Sequence, residues 1–356
     1  MSDHARPGAS AALVSALARG TETGFDVRAY QTIPDDVLAG DLDERPITAD
    51  QTNASVVVGG RVVVKWMREP MADPRAPLIL GHLVEVGFTR MPTPYAAVFR
   101  DDRLIALVIE FLPAAVDGWE WCTNDLINAI GGGEPDFPMA VATLAADLHA
   151  ALATPSSVFP NPVIGGSNPG WGRAGLEVLA SAVTAMAGTD DEEFLRTIEP
   201  YLADQIRRAD AIDLARFMHI HGDLHVGQIL RWRGGLAVID FDGNPTVDSA
   251  ALEPATRDVA QLRTSVLHVG EIANRLTEGR HRQAILEWGR LAMPDMLDAY
   301  RNALRVHGKL EVFSHGLLRP FEAEQECREL LYAARFLPRW RYAPIGVLRD
   351  WHRGVA

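Results

Sequence analysis

The chain is short of cysteine, has no long apolar run and carries no excess of positive charge, and each shortage removes a class of protein. Its two cysteines, Cys122 and Cys327, form neither a disulfide framework nor a ligand cluster and fit a reducing cytoplasm. No stretch of about eighteen apolar residues occurs, so nothing reads as a membrane span. Residues 1–20 are interrupted by His4, Arg6, Pro7 and Arg19 and lack the apolar core and cleavage site of a signal peptide. The formal net charge of −13 argues against a nucleic-acid partner, which needs a basic surface. An acidic surface suits a neutral or cationic small molecule. Internal repeats and low-complexity tracts are also absent.

What is present is enough for two domains or one bilobal unit: 356 residues, 47% hydrophobic and 23% charged. Residues 1–48 read as a cap with an amphipathic stretch at 10–17. Residues 49–112 read as a small β-rich lobe. Its β-branched runs 55–58 and 61–66 flank Gly59-Gly60, a hairpin signal. A helix follows at 78–86, then strands at 95–99 and 104–111, with a boundary at Leu112-Pro113. Residues 113–356 are dominated by helical patterns, at 136–152, 174–186, 191–209, 253–269, 280–306 and 321–336. The Pro-, Gly-, Ser- and Asn-rich segment 153–171 reads as a loop.

The chemistry concentrates in His221-Gly222-Asp223-Leu224-His225-Val226-Gly227-Gln228, followed by Val238-Ile239-Asp240-Phe241-Asp242. Asp223 and Gln228 are five positions apart, and Asp240 follows Asp223 by seventeen. Leu230, Trp232, Leu236, Val238 and Ile239 form a hairpin pattern around Arg233-Gly234-Gly235 that carries Asp240. Phosphoryl transfer needs one carboxylate to orient a hydroxyl and accept its proton, and oxygen ligands for the magnesium that neutralises a triphosphate. Protein kinases space the Asp and Asn of their catalytic loop in the same way. Upstream, Val62-Val63-Val64-Lys65-Trp66 sets one cation within an apolar strand, where it is either an edge lysine facing water or a phosphate ligand.

HGDxHxGQ followed by IDFD resembles the catalytic and metal-binding loops of the aminoglycoside phosphotransferase-like kinases. The Gln at the metal position, with Asp117-Gly118-Trp119, is most similar to the actinobacterial glucosamine kinases and maltokinases, over about residues 50–340. The resemblance implies an α+β, bilobal protein-kinase-like fold with a mostly β N-lobe and a mostly α C-lobe, using ATP and Mg2+. It implies Asp223 as catalytic base and Gln228 and Asp240 as ligands of the metal and nucleotide. Lys65 is then expected on the α- and β-phosphates, with its helix partner open between Glu85 and His82. Asp50-Gln51-Thr52-Asn53-Ala54-Ser55 would replace the missing glycine-rich loop, with Ser55 at the phosphates. The backbone of Glu110 and Leu112 would meet adenine.

For the acceptor, the resemblance places Asp117, Asp223, Glu326, Glu329, Arg335 and Trp340 around a sugar. By spacing alone, Glu322, Glu326 and Glu329 form an acidic helical stripe of the kind that usually faces water. Clustered carboxylates would complement an ammonium, which favours glucosamine, phosphorylated at its 6-hydroxyl, over a maltokinase-like reaction giving a sugar 1-phosphate or over an aminoglycoside. A binding module without catalysis need not retain Lys65, Asp223, Gln228 and Asp240 together. The expected partner is a small-molecule sugar, with neither nucleic acid nor membrane, and the enzyme is expected in the cytoplasm as a monomer or a dimer.

Overall fold

A six-stranded antiparallel sheet is built from β1 (Asp26–Ala29), β2 (Glu44–Ile47), β3 (Ala54–Val58), β4 (Val62–Met71), β5 (Pro94–Arg100) and β6 (Arg103–Glu110), in the order β1-β5-β6-β4-β3-β2. The structure is a computed structural model and describes residues 6–47, 53–130, 132–133, 135–243 and 252–354. Asp50, Gln51 and Thr52 of the expected phosphate turn lie outside the described residues, as does the expected boundary at 48/49. Gly59 and Gly60 make the β3–β4 turn at φ +58° and +64°, which glycine adopts without steric cost. The segment expected as a cap supplies both edge strands, β1 and β2, together with α1 (Ala9–Arg19). Leu13 and Val14 of α1 pack on Val62, Val64 and Trp66, and the Trp66 indole donates to Ser10 Oγ at 2.9 Å. Side chains alternate across a strand, so Val62, Val64 and Trp66 take the α1 side while Val63 and Lys65 take the other. The helix α2 (Ala76–Glu85) follows β4.

This sheet belongs to a unit of residues 1–116, 155–160 and 230–250; a second unit comprises 117–154, 161–229 and 251–356. The second is mainly helical: α3 (Gly118–Ala129), α4 (Phe137–Leu152), α5 (Trp171–Ala185), α6 (Glu192–Arg207), α7 (Thr256–Leu276), α8 (Arg282–Val306), α9 (His315–Arg335) and α10 (Tyr342–Arg353). Part of the segment expected as a loop is β7 (Val163–Ser167), paired with β8 (Leu214–Met218) in register from Val163↔Met218 to Ser167↔Leu214. Its partner lies about fifty residues on, beyond any local signal. The helix α9 begins at His315, ahead of the expected 321, and runs through Pro320.

Charge is buried along α9. Glu322 and Glu326, expected in a solvated stripe with Glu329, are 6% and 0% exposed, and Glu324 beside them is 2% exposed. The helix α7 supplies the matching partners: Arg263 Nε to Glu322 at 2.7 Å, Arg257 to Glu324 at 3.2 Å and His268 Nε2 to Glu326 at 2.9 Å. A buried carboxylate survives only when it is paired in this way, so these ion pairs set the register of the two helices.

The hairpin β9 (Ile229–Trp232) and β10 (Gly235–Val238) forms as expected, with Gly235 at φ +110°. The loop 221–228 is held through its main-chain amides by side chains of α7. Asp258, 1% exposed, accepts the His221 amide at 2.7 Å and the Gly222 amide at 2.8 Å. Behind it, His149 Nε2 lies 3.1 Å from Asp258, and His149 Nδ1 lies 2.7 Å from the Tyr300 hydroxyl. Ser265 Oγ takes the Val226 amide at 3.0 Å. The start of α3 packs so tightly under this loop that a Cβ on Gly118 would collide with the Val226 carbonyl. Burial works to raise the Asp258 carboxyl, but His149, His221 and the Gly222 amide outweigh it and hold it below the ordinary carboxylate value. Its stabilisation is therefore complete above the unfolded pKa of about 3.9 and is lost as pH falls through the lower folded value. Asp258→Asn should cost about 3 kcal/mol at neutral pH and remove that part of the acid sensitivity, as read by urea unfolding at pH 7 and at about pH 3. Equal stability of the two proteins at pH 7 would refute the clamp.

Candidate active site

The first unit assembles an ion-paired cluster beside an apolar pocket. Lys65 Nζ lies 2.7 Å from Asp240 Oδ1 and 2.7 Å from Asp242 Oδ2. The β4 register sets Lys65 opposite Ser55 on β3 and opposite Leu107 on β6, and directly opposed residues share a face of the sheet. Leu107, Ile109, Ala76 and Leu80 line the adjoining pocket, and Ile239 and Phe241 close it together with Lys65 and the two acids. Burial opposes the Lys65 charge, but Asp240 and Asp242 outweigh it and hold the ammonium above the ordinary lysine value. Burial also pushes the Asp242 carboxyl up, with Lys65 opposing. Asp240 sits at φ +64°, a left-handed conformation that costs a non-glycine residue roughly 1–2 kcal/mol. The ion pair with Lys65 helps to offset this cost in the turn after β10.

The helix partner expected for Lys65 is neither of the two candidates. Glu85 accepts the Ser157 amide at 2.6 Å and the Ser157 hydroxyl at 2.7 Å, which hold its carboxyl below the ordinary value. His82 is fully buried, with Nδ1 2.7 Å from Ser156 Oγ. The acids that meet Lys65 come from the IDFD loop, and Asp242, the second of them, was not among the expected site residues. A sequence signal existed: Lys65 and Lys309 are the only lysines in the chain, and arginine supplies every other cation of the 34. A compact ammonium kept at one strand position is a functional mark. At the end of β6 the Thr93 amide donates to the Glu110 carboxylate at 3.1 Å, while the Glu110 amide donates to the Thr93 carbonyl at 2.8 Å. The β4–β6 pairing runs through Val62↔Glu110 and the Phe111 amide donates to the Arg61 carbonyl at 2.8 Å, while Leu112, whose main chain was expected with that of Glu110 to meet adenine, is buried.

The second unit brings together several residues that were expected on the acceptor side. Asp223 Oδ1 accepts Gln261 Nε2 at 2.7 Å, and His225 Nε2 stands 3.9 Å from Asp223 Oδ2. His225 is stacked on Trp119, with ring centroids 5.6 Å apart. Trp340 meets Trp119 edge-on at 5.1 Å and donates its indole N–H to Glu329 at 2.9 Å. Gln325 holds the other Glu329 oxygen at 3.0 Å. Asp117 is the N-cap of α3, where one carboxylate oxygen accepts the Trp119 and Glu120 amides at 2.9 and 3.3 Å. Gln228 closes a short helical turn through its amide, 2.9 Å from the His225 carbonyl.

Two expected sugar residues are placed otherwise. Glu326 is fully buried behind His268 and supports the wall of the site without forming its surface. Burial pushes its carboxyl up to about 7. Its charge in turn keeps the His268 imidazole above the ordinary histidine value, although burial opposes this. Arg335 is exposed and lies over the Phe336 ring at 5.6 Å, outside the Trp119–Trp340–Glu329 group. Trp119, singled out with Asp117 in the sequence, lies in this group, and Gln261, His268 and His225 lie in it without having been expected there. Asp258, Gln261, Ser265 and His268 are spaced at one-turn intervals along α7. That polar row inside a buried helix was the signal that could have found them.

No family model matches the chain. It is 36% identical over 367 aligned residues to a glucosamine kinase of Streptacidiphilus jiangxiensis, spanning 97% of this chain and 82% of that protein. It is 35% identical to a glucosamine kinase of Mycolicibacterium smegmatis, spanning 86% of this chain and 78% of that protein. The solved structure of a glucosamine kinase in complex with glucosamine, ADP and inorganic phosphate matches at a TM-score of 0.82 and 33% identity, over 98% of this chain and 84% of that one. An aminoglycoside 2'-phosphotransferase in its GDP complex, 13% identical with a TM-score of 0.51, shares the fold. With identity at this level over most of both chains, a β-sheet N-terminal region and a helical C-terminal region, the chain belongs to the glucosamine kinase family, on the aminoglycoside phosphotransferase-like α+β fold.

Proposed function

We infer that the protein is an ATP-dependent kinase that phosphorylates glucosamine in the cytoplasm, at the 6-hydroxyl of the sugar. The observation that carries the reading is Asp223: a carboxylate oriented by Gln261 on a loop whose main chain Asp258 clamps, linked through His225 to two tryptophans and a carboxylate. The relative bound to glucosamine and ADP supports the same pair of ligands.

In this reading the nucleotide is handled by residues 49–112 with the 239–242 loop, and the sugar by residues 113–356. Lys65 meets the α- and β-phosphates, Ser55 lies beside it on the same sheet face, and the pocket walls of Leu107 and Ile109 take the base. Asp240 and Gln228 offer hard oxygen donors of the kind Mg2+ prefers, and they would hold it. When bound, the metal neutralises charge on the phosphates. Asp223 receives the acceptor hydroxyl, fixes its direction and takes its proton. Trp119 and Trp340 offer apolar ring faces to the pyranose while carboxylates take its polar groups. Glu329, braced by Trp340 and Gln325, and the uncapped oxygen of Asp117 complement the sugar ammonium.

Asp223→Ala should lower kcat by ~10²–10⁴-fold and leave ADP affinity, measured by calorimetry, unchanged. Near-normal turnover in that variant would end the assignment. Against a panel of sugars and aminoglycosides, glucosamine should exceed glucose by roughly ten- to a hundred-fold in kcat/KM, the size of one charge-assisted hydrogen bond. Glu329→Gln should narrow that gap while the melting temperature holds. Exclusive use of maltose, or of an aminoglycoside, would replace the amino-sugar reading.

A further inference from the structure

We propose that Asp242, the second acid of the IDFD loop, is the positioning residue of Lys65 and does the work that a helix carboxylate does in protein kinases. The inference rests on the kinase reading above and extends it to a residue with no role so far. A lysine that grips phosphates must be held extended, and protein kinases hold it with an acid from the following helix. Here that helix is α2, and Glu85 is its only acid. Both Glu85 oxygens are taken by Ser157, from the segment 155–160 of the same unit. His82, the other polar side chain on this helix, is buried against Ser156 and Phe159. The acid of the helix is thus engaged by the 155–160 segment.

Lys65 is held by the IDFD loop. Asp240 and Asp242 each approach Nζ at 2.7 Å, but the two acids are not equivalent. Asp240 has 39% of its side-chain surface exposed, whereas Asp242 has 20% and Lys65 15%. Asp240 is also the residue assigned to the metal. If Asp240 is engaged with a cation, its carboxylate would be drawn from the lysine, and Asp242 would be the remaining partner of Lys65. The acid on the metal and the acid on the lysine are then two positions apart on one turn. The loop that places the metal thus also sets the reach of Lys65, and α2 takes no part.

A double-mutant cycle tests this, with ATP affinity read by calorimetry in the presence of Mg2+ and with KM read separately for ATP and glucosamine. Asp242→Asn keeps the shape and removes the charge. It should weaken ATP binding and raise the ATP KM by roughly ten- to a hundred-fold, with the glucosamine KM unmoved. In a Lys65→Met background the same change should add nothing, because Asp242 acts through the lysine. Asp242→Glu should recover part of the loss, and Glu85→Gln should leave ATP affinity unchanged. An additive loss in the double variant overturns the proposal, since Asp242 would then act on the metal or nucleotide itself. A loss in Glu85→Gln equal to that in Asp242→Asn also overturns it and restores the helix acid. The binding cycle is independent of sugar turnover: native protein that binds ATP but phosphorylates no sugar refutes the glucosamine reading alone, and native protein that does not bind ATP refutes both.

Discussion

One buried carboxylate carries the acceptor side of this protein. Asp258 accepts two consecutive main-chain amides, from His221 and Gly222, and so fixes the turn that presents Asp223. An aspartate buried to 1% exposure is costly unless its lone pairs are filled, and here amides and His149 fill them. The same helix, α7, supplies Gln261 to the Asp223 carboxylate and Ser265 to the Val226 amide. A rigid helix thus reaches the loop through three successive turns. A catalytic carboxylate needs this arrangement, because displacement by an ångström is enough to lose orientation.

The far end of α7 makes the wall of the site by the same means. His268 pairs with the buried Glu326, and α9 then carries Glu329 and its brace Gln325 toward Trp340. The ion pairs of Arg257 and Arg263 with Glu324 and Glu322 hold the two helices in one register. Buried pairs add little net stability against an apolar core, but breaking one is severe. They therefore suit an interface whose alignment matters more than its strength. The acidic content of α9 is mostly structural, and few of its carboxylates are left to meet a ligand.

The nucleotide side is built on different physics. The sheet is apolar on both faces around β4, and Lys65 lies in a run of buried valines. Only the two acids of the IDFD loop allow a cation there, and the left-handed Asp240 puts them within reach. The pocket beside them is lined by Leu107, Ile109 and Leu80, an apolar slot next to a charged end.

The β3–β4 hairpin, the β9–β10 hairpin and the long helices were legible, and Asp223, Gln228, Lys65 and Asp240 could be singled out, because each signal depends on neighbours in the chain. Gly-Gly turns, alternating valines and fixed motif spacing are local signals. The rest depended on distant partners. The strand β7 exists because β8 pairs with it, and no composition of residues 163–167 reports that. Glu326 and Glu329 share one helical face by spacing, yet His268 buries the first and Trp340 braces the second at the site. Glu85 stands where a lysine partner was expected and is claimed by Ser157 instead. By itself the sequence determined the chemistry on offer, a kinase-type set of acid, amide, acid and lysine in an acidic chain of about two domains. The tertiary structure alone decided which carboxylates are buried, which are paired and which remain for a ligand, because burial and pairing depend on partners that only folding brings together.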